Sequence, residues 1–342
     1  MPRDDSPEAG YRIVEERSGA AFDCAADDVL LRAALRAGQP FAYECNVGGC
    51  GSCKFELLDG TVADQWPQAP GLGPRDRQRG RHLACQSRPL ADCRIRMIGR
   101  GVPEDVPAPR RQDAVLVART DLTHDMALFH LRGAGPAAFR PGQYALLGLP
   151  QVAGPRAYSM ANLANAEGDW EFIVRRVPGG AMTEALFDLA PGGALALDGP
   201  YGHAFLRPGS ERPVVCIAGG SGLSPMIGIA RGLEAEAGAA LPRLDFFYGG
   251  RTADDICGEA MLRALPRLGP QLRFHACVST DDPRWQGRIG MIHELLADLS
   301  AEAFAEADFY LAGPPAMAEA VVALLGKGRG VPAERIRYDR FF

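Results

Sequence analysis

The residues best placed for chemistry are four cysteines. In "YECNVGGCGSCKFELLDG", residues 43–60, Cys45, Cys50 and Cys53 fall within nine positions, with Gly48, Gly49 and Gly51 among them and Ser52 beside the last thiol. Cys85 lies 32 positions beyond Cys53, in "RHLACQSRPL". The spacing C-x4-C-x2-C…C is that of plant-type 2Fe–2S sites. Two irons and two sulfides need four thiolates and a loop curled so that backbone N–H groups point at sulfur. Glycine takes up such a curl without steric cost. Ser52 is small enough for the same shell, and its hydroxyl could add a donor. The alternatives are a zinc site or four unrelated thiols. A structural zinc usually takes two C-x2-C-like pairs, whereas Cys85 has only Cys93 nearby.

Other candidates are weaker one by one. In "RAYSMAN", residues 156–162, the guanidinium of Arg156 can grip a phosphate bidentately. Tyr158 can lay its ring on a flat cofactor, and Ser159 can hydrogen-bond a heteroatom of it. Taken alone, the segment reads as an ordinary strand with one surface arginine. "AGGSGLSP", residues 218–225, follows an apolar strand and opens a helix, a place where backbone N–H groups attract phosphate. Gly220 and Gly222 match the dinucleotide fingerprint, but Pro225 stands in place of its third glycine, and a tight turn with no ligand would look similar. "LAGPPAM", residues 311–317, is a second such turn. Two glycine turns at neighbouring strand ends would line one crevice. His124, His130, His275 and His293 show no metal-ligand spacing among themselves, and no Ser-His-Asp or Cys-His arrangement can be identified.

The elements that must hold these residues fall into three segments. Residues 1–98 open with strands "YRIVEE" and "AAFDC" and a helix "DDVLLRAALRAG", capped by Asp27 or Asp28 and ended by Gly38. The cysteine loop and a strand "KFELLDGTV" follow. Residues 99–111, rich in Pro, Gly and charge, read as a linker. Residues 112–208 give short strands separated by turns ("AVLVART", "MALFHLRG", "QYALLGL", "RAYSMAN", "WEFIVRRV", "ALALDGP"), the pattern of an antiparallel β-barrel. Residues 209–342 alternate strands ("PVVCIAGG", "LDFFYGG", "LRFHACVS", "DFYLAGPP") with helices ("SPMIGIARGLEAEAG", "ADDICGEAMLRAL", "GMIHELLADL", "AMAEAVVALLGKG") and end on a strand "RIRYDRFF", which implies a parallel sheet covered on both faces and a ligand at the carboxyl ends of its strands.

The 342 residues carry a formal charge of −5, against nonspecific nucleic-acid binding, which needs a basic face. No run approaches the roughly 18 apolar residues of a membrane span, and no signal peptide is apparent, so a cytoplasmic chain is expected. In a reducing compartment its nine cysteines are not expected to form a disulfide framework. Cys24, Cys93, Cys216, Cys257 and Cys277 read as small buried hydrophobes. Residues 1–65 hold twelve acidic against six basic side chains, so an acidic docking face is expected near the cysteine loop.

Together, Cys45, Cys50, Cys53 and Cys85, then Arg156-x-Tyr158-Ser159, then "GGSGLSP" and "YLAGPP", resemble the ferredoxin–NAD(P)H reductase superfamily with an N-terminal plant-type ferredoxin domain. That is the layout of reductase components of bacterial multicomponent oxygenases. The similarity runs from about residue 11 to Phe342, and the strings "GGCGSCKFELLDG", "WPQAPGLGPRDRQRGRHLACQ", "RAYSMAN" and "LLGKG" look most like reductases of toluene monooxygenase type. The resemblance implies an α+β ferredoxin domain of β-grasp type, a β-barrel binding FAD and a Rossmann-like α/β domain binding NAD. It implies that Cys45, Cys50, Cys53 and Cys85 hold the cluster. Arg156 would hold the FAD pyrophosphate, Tyr158 would pack on the isoalloxazine and Ser159 would lie near N5. Arg175 and the turn with Gly180, Met182 and Thr183 match the stretch that closes over the pyrophosphate. Gly219, Gly220, Ser221 and Gly222 match the nicotinamide-nucleotide turn, with Gly313 and Pro314 as its second wall. Asp339 sits where relatives often have Glu, and Phe341 or Phe342 takes the place of an aromatic that covers the flavin. Ser159, Ser221 and Asp339 would orient and polarise the reacting groups.

Two departures matter. Ala312 stands where the family often has Cys before Gly-Pro-Pro, so no thiol assists hydride transfer there. Arg251 could bind a 2′-phosphate, yet "YGGRTADDI" also resembles NADH-using relatives, and NADH rather than NADPH is expected. A flavin links a two-electron hydride donor to a one-electron cluster. The expected acceptor is an oxygenase hydroxylase component or a small Rieske-type ferredoxin feeding it, and the chain is expected to be monomeric. Alternatives are a reductase for a Rieske ring-hydroxylating dioxygenase or another one-electron sink, or a redox sensor that does not turn over.

Overall fold

A computed structural model of the chain describes residues 10–99, 101, 105–236, 238 and 241–340. Phe341 and Phe342 lie outside the described residues. The chain divides into two compact units at Arg110/Arg111.

In the first unit, β1 (Gly10–Glu15) and β2 (Ala21–Ala25) form a hairpin, followed by α1 (Leu30–Arg36). Then come β3 (Lys54–Asp59), β4 (Val62–Asp64), α2 (Pro74–Gln78), β5 (Arg81–Leu83), β6 (Ser87–Pro89) and β7 (Cys93–Met97). The main sheet runs β2-β1-β7-β3-β5, with β1 and β7 parallel, and β4 pairs with β6 beside it. One face of α1, through Leu30, Leu31 and Ala34, packs on Ile13, Phe55 and Ile95, with the thiols of Cys24 and Cys93 in the same core. Gly38 ends α1 as expected: at φ 71° it lets its own N–H reach Leu35 O and the Gln39 N–H reach Ala34 O, a Schellman closure. The expected aspartate cap is not formed. Val29 is the N-cap, and the Asp28 carboxylate pairs with Arg36 and Arg32 instead. "KFELLDGTV" is not one strand either. Gly60, at φ 92°, turns the chain where a Cβ would fall 2.3 Å from Asp92 O, and this separates β3 from β4.

The second unit starts with β8 (Arg110–Asp121), β9 (Met126–Gly133), β10 (Tyr144–Gly148), β11 (Arg156–Ser159), β12 (Asp169–Arg175), α3 (Ala181–Phe187) and β13 (Ala194–Tyr201). These strands make an antiparallel sheet in the order β11-β10-β13-β8-β9-β12. A Met160–Phe172 bridge and a bond from Ala161 N–H to Glu171 O (2.7 Å) join its two edges. The sheet therefore rolls into the expected barrel and leaves little open edge. Trp170, Phe172 and Val174 of β12 alternate into its core with Phe129 and Leu131. Helix α3 falls where only a turn was expected.

The remainder comprises β14 (Val214–Gly219), α4 (Leu223–Glu236), β15 (Leu244–Gly250), α5 (Glu259–Arg263), β16 (Arg273–Val278), β17 (Arg288–Ile289), α6 (Ile292–Leu296), α7 (Ala301–Glu306), β18 (Asp308–Gly313), α8 (Pro315–Ala323) and β19 (Ile336–Arg340). Its six strands are all parallel, in the order β17-β16-β15-β14-β18-β19. Every residue of β14 and of β18 is buried, as expected of central parallel strands covered on both faces. Strand order reverses between β14 and β18, which is where such sheets bind ligands. The helix expected over "ADDICGEAMLRAL" breaks at Gly258 (φ 88°) into a 3-10 turn, Ala253–Asp255, and the short α5.

Candidate functional site

Antiparallel pairing sets Lys54 of β3 opposite Leu83 of β5, so Cys53, just before β3, and Cys85, just after β5, come together. A bond from Ala84 N–H to Cys53 O (2.9 Å) fastens them. Cys45 and Cys50 form a second pair within the loop, where Cys50 N–H donates to Cys45 Sγ (3.3 Å) and Ser52 N–H to Cys50 Sγ (3.4 Å). Gln86 Nε2 reaches Cys85 Sγ at 3.8 Å. Positive φ angles fall on Asn46, Gly48 and Gly51. A Cβ on Gly51 would lie 2.4 Å from Gly71 O, so this curl needs glycine for space as well as for φ. The hydrogen bond from its partner thiol holds Cys50 down at about 5 and lowers Cys85, while Cys45 and Cys53 are pushed up by the same bonds and by burial. One tetrahedral zinc would need its sulfurs about 3.8 Å apart, given Zn–S bonds near 2.3 Å. Among the described residues no three thiols come within 4.8 Å of one another. Two pairs of thiols suit two irons. Among acids flanking the loop, Asp64 is tied to His82 and Ser87, and Asp76 to Lys54 and Arg81. Residues 66–98 carry seven arginines against two aspartates, so the acidic character belongs to the residues before the loop.

The remaining candidate residues lie in the second unit. Arg156 opens β11 on the surface, its guanidinium resting on the carbonyls of Ala153, Gly154 and Pro155. Tyr158 is half-buried, with its phenol pushed up by burial, and Ser159 is buried. The strand after Ser159 meets α4 closely: a Cβ on Gly228 would fall 2.8 Å from Met160 O. Buried Ser224 joins the two, accepting from Ile173 N–H (2.9 Å) and donating to Ser159 O (2.7 Å). Gly219 ends β14, and Gly220–Gly222 make a 3-10 turn running straight into α4. Across the switch point, a Cβ on Gly222 would lie 2.0 Å from Ala312 O, and one on Gly313 3.2 Å from Gly219 N. The two glycine turns are therefore neighbours, with Pro314 beside them as the N-cap of α8. Asp339 pairs in register with Ala312 at the same end of the sheet. Ser221 stands half-exposed between Gly220 and Gly222.

Around Gly220 lies a polar network that spans barrel and sheet. Arg175 bonds Asp255 (2.9 Å) and lies 3.2 Å from Asp125, and its guanidinium covers Gly220. Arg251 bonds Asp255 through Nε and Nη2 and Asp125 through Nη2, each at 3.1 Å. Burial alone would raise the Asp255 carboxyl. Its bonds from the Arg251 side chain and backbone and the charge of Arg175 outweigh that and hold it down at about 2. Thr183 accepts from Val177 N–H and donates to Gly180 O, closing the turn before α3. The side chain of Met182 is buried in the barrel core, which leaves contact with any ligand there to backbone N–H groups of the first helical turn.

Comparison with known proteins finds three family models along the chain. A family model for the 2Fe–2S iron–sulfur cluster binding domain covers residues 13–90, one for the oxidoreductase FAD-binding domain residues 113–205, and one for the oxidoreductase NAD-binding domain residues 216–323. The chain is 44% identical over 325 residues (93% of this chain, 96% of the relative) to a ferredoxin–NAD(P)+ reductase, CarAd, of Metapseudomonas resinovorans. It is 42% identical over 333 residues (94% and 98%) to the ferredoxin–NAD+ reductase component of the alkene monooxygenase system of Xanthobacter autotrophicus. The solved ferredoxin reductase in carbazole 1,9a-dioxygenase superposes with a TM-score of 0.88 at 41% identity, covering 98% of this chain and 99% of that one. The chain belongs to the ferredoxin–NAD(P)+ reductases that carry their own iron–sulfur domain. This reductase accordingly works with FAD, a 2Fe–2S cluster and NADH.

Three residues of the crevice were not singled out from sequence: Ser224, Asp125 and Asp255. Ser224 sits inside "GGSGLSP" but had no assigned task. Asp255 lies in a Thr252-x-x-Asp255 capping box, a pattern legible in the sequence. Asp125 carried no local signal. Replacing Ser224 with Ala strands the buried Ile173 N–H, which costs about 1–3 kcal/mol. The expected result is a lower melting temperature with the cluster absorbance intact.

Proposed function

We propose that this reductase draws a hydride from NADH at the crevice between barrel and parallel sheet and passes single electrons, through the cluster held by Cys45, Cys50, Cys53 and Cys85, to an oxygenase component or a Rieske-type ferredoxin that feeds it. The observation that carries this reading is the double hydrogen bond of Ser224, which fixes the flavin-motif strand against the nucleotide helix. Bound flavin takes two electrons as a hydride and releases them singly, and a 2Fe–2S cluster carries one at a time. Arg156 grips the FAD pyrophosphate, aided by backbone N–H groups from Ala181 to Thr183, which the turn closed by Gly180 N–H on Val177 O and by Thr183 on Gly180 O presents. Tyr158 packs on the flavin ring, and Ser159 orients it. Gly219, Gly220, Ser221 and Gly222 admit the NADH backbone, Gly313 and Pro314 bound it, and Asp339 with Ser221 orients the nicotinamide. The named partners of the relatives, an alkene monooxygenase system and a carbazole dioxygenase, support the acceptor class. Among the described residues no helix is long and apolar enough to cross a membrane. A monomer in the cytoplasm completes the reading.

Preference for NADH follows from Arg251. Its guanidinium is engaged by Asp255 and Asp125, so a 2′-phosphate would meet two carboxylates together with the arginine. Asp255→Asn removes one of these charges. A repulsion of 1–2 kcal/mol corresponds to roughly tenfold, and the ratio of NADPH to NADH turnover should rise by about that factor. Stopped-flow reduction with both nucleotides tests the whole reading. Equal rates for the two in the wild type would overturn the NADH preference, and no bleaching of flavin absorbance would favour a redox sensor over a reductase.

A further inference from the structure

Asn46 follows Cys45 directly and is the sole non-glycine residue with positive φ (55°) among the described residues. Asparagine tolerates this left-handed region better than most L residues, which accounts for its backbone. It does not account for its side chain. Asn46 is 3% exposed, and neither Nδ2 nor Oδ1 has a hydrogen-bond partner. A buried amide with neither end satisfied is strongly unfavourable, and an asparagine needed only for its backbone could leave its side chain in solvent. This amide instead lies in the loop where Cys50 and Ser52 N–H groups already donate to sulfur.

We propose that Asn46 Nδ2 donates a hydrogen bond to a sulfur of the 2Fe–2S cluster and so raises its reduction potential. The inference rests on the reading that Cys45, Cys50, Cys53 and Cys85 hold that cluster. Reduction transfers one electron, originating from NADH by way of the flavin, and adds one negative charge to the iron–sulfur core. An N–H donor stabilises the more negative state, and hydrogen bonds to sulfur are among the levers that set such potentials. Asn46 is thus a tuning residue rather than a ligand.

Asn46→Gly retains the left-handed backbone and removes the amide. Redox titration followed by EPR should show reduction of the cluster made about tenfold less favourable, which is about 59 mV for one electron, while NADH reduces the flavin at the wild-type rate. An unchanged potential with an intact signal overturns the proposal. Asn46→Asp suits the same backbone and replaces the donor with a carboxylate oxygen, so its potential should fall further; a rise overturns the proposal. Should either variant fail to assemble a cluster, wild-type protein decides. The chain has three asparagines, of which Asn46 alone lies in the first unit. Pulsed EPR of the reduced protein grown with asparagine 15N-labelled at the side-chain amide alone should show a nitrogen coupling. A coupling to exchangeable water protons without one means that water fills the space, which overturns the proposal. Absence of any 2Fe–2S signal in wild type would instead overturn the cluster assignment itself.

Discussion

In Cys50→Ser, NADH is expected to reduce the flavin at the wild-type rate while delivery to a one-electron acceptor protein falls by roughly 100-fold or more, the upper end of what even supporting residues of metal sites cost when removed. The iron–sulfur domain model falls before Arg110 and the FAD- and NAD-binding models after it, in different compact units. Hydride transfer requires only the second. Cys50 is the thiol held at about 5 by Cys45, with the Ser52 hydroxyl and N–H also bonding its sulfur. A serine alcohol at this position stays protonated where the thiol would ionise, and it is a harder, poorer ligand for iron. Stopped-flow absorbance reads the flavin step, and reduction of the oxygenase partner reads delivery. Ferricyanide, small enough to take electrons at the flavin, should still be reduced. Delivery to the protein partner at the wild-type rate would remove the cysteine loop from the electron path.

The parts of this molecule that were legible in sequence are those whose cause is local. Apolar runs such as "VVCIAG" and "FYLAG" announce central parallel strands because burial on both faces demands them. Strands β9 and β15 coincide with the expected segments to the residue. Gly38 marks the end of α1 through its own φ. Two local details ran against expectation: Asp28 accepts from the Val29 N–H and pairs with Arg36 and Arg32 rather than capping α1, and Gly258 at φ 88° breaks a helix that periodicity alone would continue. The site divides into local strings and remote partners. Four cysteines, the Arg-x-Tyr-Ser strand and the glycine turns are short strings. Ser224 acts on Ile173 and Ser159, which lie 51 and 65 positions before it, and Arg251 on Asp125, 126 positions away. A serine or aspartate with so remote a partner carries no periodic signal.

Gly222→Ala is expected to lower the stability of the second unit by about 1–3 kcal/mol and to raise KM for NADH. An added Cβ would stand 2.0 Å from Ala312 O, 2.5 Å from Ala312 C and 3.0 Å from Gly313 N. All three are backbone atoms of β18 and its turn, so no rotamer change relieves the clash, and the turns after β14 and β18 must separate. In a unit of this size each kcal/mol lowers the melting temperature by roughly 2–4 °C. The displaced segment includes Gly219, Gly220 and Ser221 on one side and Gly313 and Pro314 on the other, the two walls assigned to the nicotinamide nucleotide. If the walls merely part, ground-state and transition-state binding weaken alike, so KM rises while kcat holds. If the nicotinamide is also misaligned with the flavin, kcat falls as well, since small misplacements of reacting atoms are costly. Gly326→Ala is the matching control. No atom lies within 4 Å of its added Cβ and Gly326 sits in a helical segment, so KM should stay at the wild-type value and the melting temperature should hold or rise slightly. Wild-type behaviour in Gly222→Ala would mean that the two turns are not in contact and that Gly222 serves only as a flexible joint into α4.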